Sequence, residues 1–124
     1  MSDGGGRVRV HNTTRGTTVA ATVRVATSMR DRMVGLLRTD QAELGDGLLI
    51  EHSPSIHMFF MRYPIDAVFI DATGRVTKTA AALRPWRVIW WARGARDCLE
   101  LPMGRVAESG TRVGDRLEIT PLSA

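Results

Sequence analysis

Four ionisable side chains stand where chemistry would want them. His57, Arg62 and Asp66 lie inside one apolar stretch, SIHMFFMRYPIDAVFID at 55–71, and Glu100 lies inside a second, CLELPMG at 98–104. A histidine with two carboxylates makes a general acid–base set, the imidazole moving protons near neutral pH while a carboxylate orients it or activates water. The competing reading is structural. A charge set among Met58, Phe59, Phe60, Met61, Ile65, Val68, Phe69 and Ile70 must be paired or hydrogen-bonded, because an unpaired buried charge is very costly. Asp66, two residues after Pro64, is expected to accept from backbone amides or to pair with Arg62. His57, Asp66 and Glu100 are thus candidate catalytic residues of a small hydrolase-like enzyme, and equally candidates for a buried polar network.

A second cluster has a different chemistry. Residues 72–96 hold Arg75, Lys78, Arg84, Arg87, Arg93 and Arg96, all three tryptophans (Trp86, Trp90 and Trp91), and no acidic residue. Elsewhere 11 of the 17 basic residues face all 13 acidic ones. Arginines interleaved with aromatics suit an anionic ligand, the guanidinium meeting phosphate or carboxylate and the indole supplying a flat contact. The alternative is that a tryptophan seals the core while arginine stems run over it. Candidate ligand-binding residues are Arg62, Arg84, Trp86, Arg87, Trp90, Trp91 and Arg93. Nucleic acid is compatible with this loop but not favoured, since no recognised nucleic-acid motif accompanies it.

Other chemistries find little support. Glu51, His52 and His57 are the nearest approach to a zinc set, but Pro54 separates the histidines and breaks the spacing that ordered zinc sites use. No metal and no cofactor is expected. The chain has no Gly-x-Ser-x-Gly elbow, P-loop or Gly-x-Gly-x-x-Gly, so nucleophile and phosphate-cradle motifs are missing. Cys98 is the only cysteine. It excludes an intrachain disulfide, and between Asp97 and Leu99 it reads as a packed small residue.

These residues need a scaffold. With 124 residues and 44% hydrophobic content, the chain makes one domain with a real core. Residues 1–6 read as a flexible tail and 7–124 as a single globular domain. The first residues lack an apolar signal core, and no window is long and apolar enough for a membrane-spanning helix. A cytoplasmic monomer is therefore the expectation from the sequence as written. Period-2 patterning predicts strands at 7–11 and 17–26 around a turn at 12–16. One main α-helix is expected at 28–38, capped by Thr27 or Ser28 with Asp31 in its first turn. Short strands follow at 48–50, 56–61, 65–71, 75–83, 98–101 and 116–120, with one helical turn at 105–109. The fold class is mainly β, a small barrel or sandwich of largely antiparallel strands. The 65–71 stretch is expected to be buried on both faces.

The order of the pieces is also informative. Gly35-Leu36-Leu37, Gly47-Leu48-Leu49-Ile50, IHMFFMRYPIDAVFID, Gly74-Arg75-Val76, CLELPMG and Gly114-Asp115 together resemble the domain of unknown function 192 family over about 18–120. These are small bacterial and archaeal proteins with no established activity. The resemblance implies a mainly β fold and carries over no catalytic residue. Many relatives have Trp-Met-x-Asn-Thr where this chain has Phe60-Met61-Arg62-Tyr63. Many also carry an export or lipoprotein signal, which keeps an envelope location open for the family. The combined expectation is a small binding or accessory domain for an unknown ligand or protein partner, its surface at the basic Trp-bearing loop beside 56–71. The alternative is the enzyme built on His57, Asp66 and Glu100.

Overall fold

Val8, Val10 and Asn12 alternate with Arg7, Arg9 and His11, and in a computed structural model that alternation becomes strand β1 (Arg7–Asn12), apolar side inward. The structure describes residues 6–27, 46–58, 61–89 and 92–122, with His57 described by its backbone alone. The expected helix at 28–38, Phe60, Trp90 and Trp91 lie outside the described residues. The remaining strands are β2 (Thr17–Ala26), β3 (Leu48–Ile50), β4 (Ile56–His57), β5 (Ile65–Ile70), β6 (Val76–Leu83), β7 (Val88–Ile89), β8 (Asp97–Pro102) and β9 (Leu117–Pro121). One short helix, α1 (Arg105–Ser109), follows β8.

Seven strands form a sheet in the order β6-β5-β8-β3-β2-β1-β9, antiparallel except where β2 runs parallel to β3. The sheet curls into a half-barrel. At one end its two outer strands meet: Arg75 bridges Arg116, Val76 N–H donates to the Asp115 carbonyl at 2.8 Å, and Leu117 N–H donates to the Gly74 carbonyl at 2.8 Å. Gly74 has φ +90°, and a Cβ there would lie 2.5 Å from the Leu117 carbonyl oxygen, so this junction admits only glycine. The turn before it is held by the Asp71 carboxylate, which accepts from Thr73 N–H and Oγ1 and from Arg75 N–H. The Thr73 hydroxyl contributes most to holding the Asp71 carboxyl below its usual range.

Two apolar clusters occupy the two faces of the sheet. Val8, Val10, Val19, Leu49, Val68, Ile70, Leu99, Leu101 and Leu117 fill the inside of the curl. Leu48, Ile50, Ile65, Ala67, Phe69 and Cys98 pack from the other face against Ile56, Met58, Met61, Tyr63 and Ala92. β4 and β7 pair with each other and contribute to that second layer. All six positions of β5 are buried, as a central strand with layers on both sides requires.

The strand expected at 56–61 is shorter, ending at His57. The backbone of Met58 is taken up by another segment: its N–H donates to the Arg87 carbonyl, and its carbonyl accepts from Trp86 N–H, both at 2.7 Å. Met61 N–H then closes a turn onto the same Met58 carbonyl.

Candidate functional site

Asp66 is the second residue of β5, 1% exposed. Its Oδ1 accepts from Ala82 N–H at 2.9 Å, and its Oδ2 from Gly104 N–H at 3.1 Å and Val106 N–H at 2.9 Å. The chemistry of each contact is clear. Ala82 sits at the end of β6 with φ 52°, a left-handed conformation that a non-glycine residue adopts at a cost. Gly104 and Val106 open α1, whose N-cap is a glycine with no side chain to offer. Asp66 supplies the missing cap from 38 residues away, and its charge suits a helix N-terminus. Arg62 is exposed on the preceding turn, so the carboxylate is held by backbone amides.

Glu100 is fully buried on β8. It pairs in register with Leu48 and Ala67, while Asp66 pairs with Leu101. Leu48 and Ala67 belong to one apolar cluster and Leu101 to the other. Because neighbouring side chains of a strand leave by opposite faces, Asp66 points into the curl and Glu100 points to the far side. The structure does not bring these two carboxylates together. His57 pairs through its backbone with Val88, in the layer covering the Glu100 face.

The basic cluster divides. Arg96 is committed to Asp97, Nε and Nη2 both donating to the buried carboxylate, with Nη2 to Oδ2 at 2.9 Å. That hydrogen bond and charge raise the Arg96 pKa. His52 N–H, at φ 56°, donates to the same carboxylate at 3.0 Å. Arg62, Arg84, Arg87 and Arg93 are exposed, and among the described residues none of them forms an ion pair. Trp86 is 58% exposed. It sits in the turn Arg84-Pro85-Trp86-Arg87, which Arg87 N–H closes on the Arg84 carbonyl at 3.2 Å. Pro85 fixes the second position and Trp86 takes the third with φ 70°, where a turn of this kind ordinarily wants glycine. Met58 ties this turn to the Met61-Arg62 turn through the backbone bonds described above. Arg62, Arg84, Trp86 and Arg87 are thereby gathered at one end of β5.

A second polar network had no forerunner in the sequence. At the closed end of the half-barrel, buried Asn12 donates through Nδ2 to Asp115 Oδ2 at 3.0 Å and to Thr111 Oγ1 at 3.1 Å. Arg15 clamps both oxygens of Asp115 at 3.0 and 3.1 Å, and Arg112 N–H adds another donor. The Arg15 hydrogen bonds, helped by Asn12, bring the Asp115 pKa down to about 2 against the opposing effect of burial. Gly114-Asp115 enters the sequence reading through the family resemblance; partners about 100 residues distant leave no local trace. Among the described residues, hollows of about 200 Å³ each lie by Arg9, His11, Glu118 and Thr120 and by the 71–74 turn and Arg96; neither is lined by Asp66, Glu100, Arg62, Arg84, Trp86 or Arg87. Among the described residues, no three His, Cys, Asp or Glu side chains gather in a way that could hold a metal ion. Among them also, no helix is long and apolar enough to cross a membrane.

Comparison with known proteins places this geometry. The model of the DUF192 family, described as uncharacterized ACR, matches residues 10–119. A UPF0127 protein of Thermococcus sibiricus is 30% identical over 111 residues, covering 86% of this chain and 71% of the relative. One of Pyrococcus furiosus is 34% identical over 110 residues, covering 86% and 94%. A crystal structure from Sinorhizobium meliloti 1021, provisionally described as a transcription regulator, is similar with TM-score 0.78 and 27% identity over 96% of each chain. A protein of unknown function from Novosphingobium aromaticivorans follows with TM-score 0.71 and 26% identity, over 90% of this chain and 83% of that one.

Proposed function

The chain belongs to the DUF192 family of uncharacterized proteins, and from that premise we propose that it is a small binding domain with no catalysis of its own, taking an anionic ligand on the surface around Arg62, Arg84, Trp86 and Arg87, with Arg93 left out because its turn lies near the other end of β5, where Arg96 N–H meets the Ile70 carbonyl. The observation that carries this reading is Trp86. A residue forced to φ 70° in a turn that would suit glycine costs on the order of 1–3 kcal/mol. Keeping a large indole there, more than half exposed and flanked by the exposed Arg84 and Arg87, favours a role for it at the surface. A hydrolase using His57, Asp66 and Glu100 has less to stand on, since both oxygens of Asp66 already serve backbone amides and Glu100 lies across the sheet.

Retention on an immobilised sulfated polysaccharide tests the proposal. Arg84→Glu with Arg87→Glu should elute at much lower salt than the parent, because each arginine lost is a counterion release forgone. Arg7→Glu with Arg9→Glu carries the same charge change on β1 and should shift elution far less. Equal shifts for the two pairs would mean only net charge is being read. Trp86→Gly should weaken retention in a protein that still unfolds cooperatively.

A further inference from the structure

The basic turn does not stand alone. Ile65 at the start of β5 pairs with Leu83 at the end of β6 on one side and with Pro102 at the end of β8 on the other. The loops that leave these strands, 84–87 and 103–104, therefore flank the 61–64 turn that enters β5. The Asp66 carboxylate draws the Ala82 and Gly104 amides to within 2.9 and 3.1 Å of its two oxygens, fixing the bases of the outer loops relative to each other. Two of the large exposed apolar side chains sit on these loops: Trp86 at 58% and Met103 at 52% exposure. Arg62, Arg84 and Arg87 stand beside them, exposed, and residues 61–64, 84–87 and 103–105 contain no acidic residue.

From this juxtaposition we infer that the three-loop end of the sheet docks on an anionic phospholipid surface, Trp86 and Met103 entering the interface and the arginines meeting lipid phosphates. The inference rests on the binding proposal above and names its partner. Indoles settle at the depth of lipid headgroups, and basic residues gain from the negative surface potential there. A nucleic-acid strand would use the indole and the guanidinium groups but would give Met103 nothing, because a thioether has no face on which to stack a base. Met103 is thus the residue that separates the two occupants. An apolar tip held on a loop of fixed geometry gains from insertion because the apolar surface leaves water.

The test is co-sedimentation with vesicles of mixed phosphatidylcholine and phosphatidylglycerol, beside vesicles of phosphatidylcholine alone and a soluble oligothymidylate. The parent should sediment with the anionic vesicles only. Met103→Ser and Trp86→Gly should each lower its partition by roughly tenfold, about what the loss of one inserted apolar group removes. Val113→Ser, at a 61% exposed site on another turn, should leave it unchanged. Oligothymidylate binding that ignores Met103→Ser, without vesicle binding, overturns the inference and leaves the anionic-ligand proposal standing. Vesicle binding indifferent to both apolar substitutions also overturns it. Polysaccharide retention unaffected by the Arg84 and Arg87 substitutions, with no vesicle binding, removes both.

Discussion

Asp66 and Glu100 sit on neighbouring strands one register step apart, and their side chains leave the sheet through opposite faces. Two acids so close in the ladder cannot share a substrate, because the sheet itself stands between them. Asp66 binds together the end of β6, the β8–α1 turn and the first turn of α1. Its role in the fold is that of a cap supplied by a distant strand.

Replacing Asp66 with asparagine should therefore destabilise the protein. The amide would set an N–H₂ against at least one backbone N–H, leaving a buried donor unsatisfied at a cost of about 1–3 kcal/mol. Urea unfolding measures this directly. An unchanged midpoint in Asp66→Asn would show that the three amides do not depend on the carboxylate.

Gly74 and Gly16 offer a controlled comparison. Both have positive φ, but a Cβ at Gly16 meets nothing within 4 Å, whereas at Gly74 it meets the Leu117 carbonyl at 2.5 Å. Gly16→Ala should cost about 1–2 kcal/mol, the ordinary left-handed penalty. Gly74→Ala should cost clearly more, since backbone must move where β6 and β9 join. Equal losses in thermal unfolding would place the closure elsewhere.

Asp115 makes stability depend on acid. Its carboxyl titrates at about 2 when folded against 3.8 ordinarily, so its stabilisation is complete above pH 3.8 and drains away as pH falls toward 2. Arg15 keeps 39% of its side chain exposed, so screening trims the effect to on the order of 1–2 kcal/mol. Unfolding free energies followed downward from pH 5 should converge between the parent and Asp115→Asn. A gap of constant size over that range would mean the carboxyl is not depressed.

Much of the architecture was legible in local patterning. The alternation in 7–11 and the Thr/Val-rich run at 17–26 mark β1 and β2, and the largely apolar stretch at 65–71, with Asp66 set into it, marks a strand covered on both sides. The helical turn at 105–109 was also visible, between a Pro-Met-Gly break and Gly110. What stayed hidden was long-range. The parallel pairing of β2 with β3, the Arg75–Arg116 junction and the Asn12–Asp115–Arg15 network all join residues whose identities do not mark them as partners. Asp66 shows why the candidate site was ambiguous: a carboxylate in an apolar run looks the same whether its partners are substrate or amides. Its actual partners, at positions 82, 104 and 106, fall beyond any local window. Trp86 stands out in the sequence by its type, but its φ of 70° follows only from the turn that Arg87 closes.

The pairing of β1 with β9 has a consequence for how the chain becomes ordered in time. Asn12 and Asp115 are 103 residues apart in sequence, and β1 has no partner on its outer side until β9 has been made. The first hairpin can form early, since β1 and β2 are joined by a short turn. Yet the half-barrel cannot shut until nearly the whole segment has been synthesised and has travelled back to its beginning. Contacts of such wide separation place folding in the slow, milliseconds-to-seconds regime of non-local β proteins. On the ribosome, the inward-facing valines of β1 must wait, exposed at one edge, for the last strand to arrive.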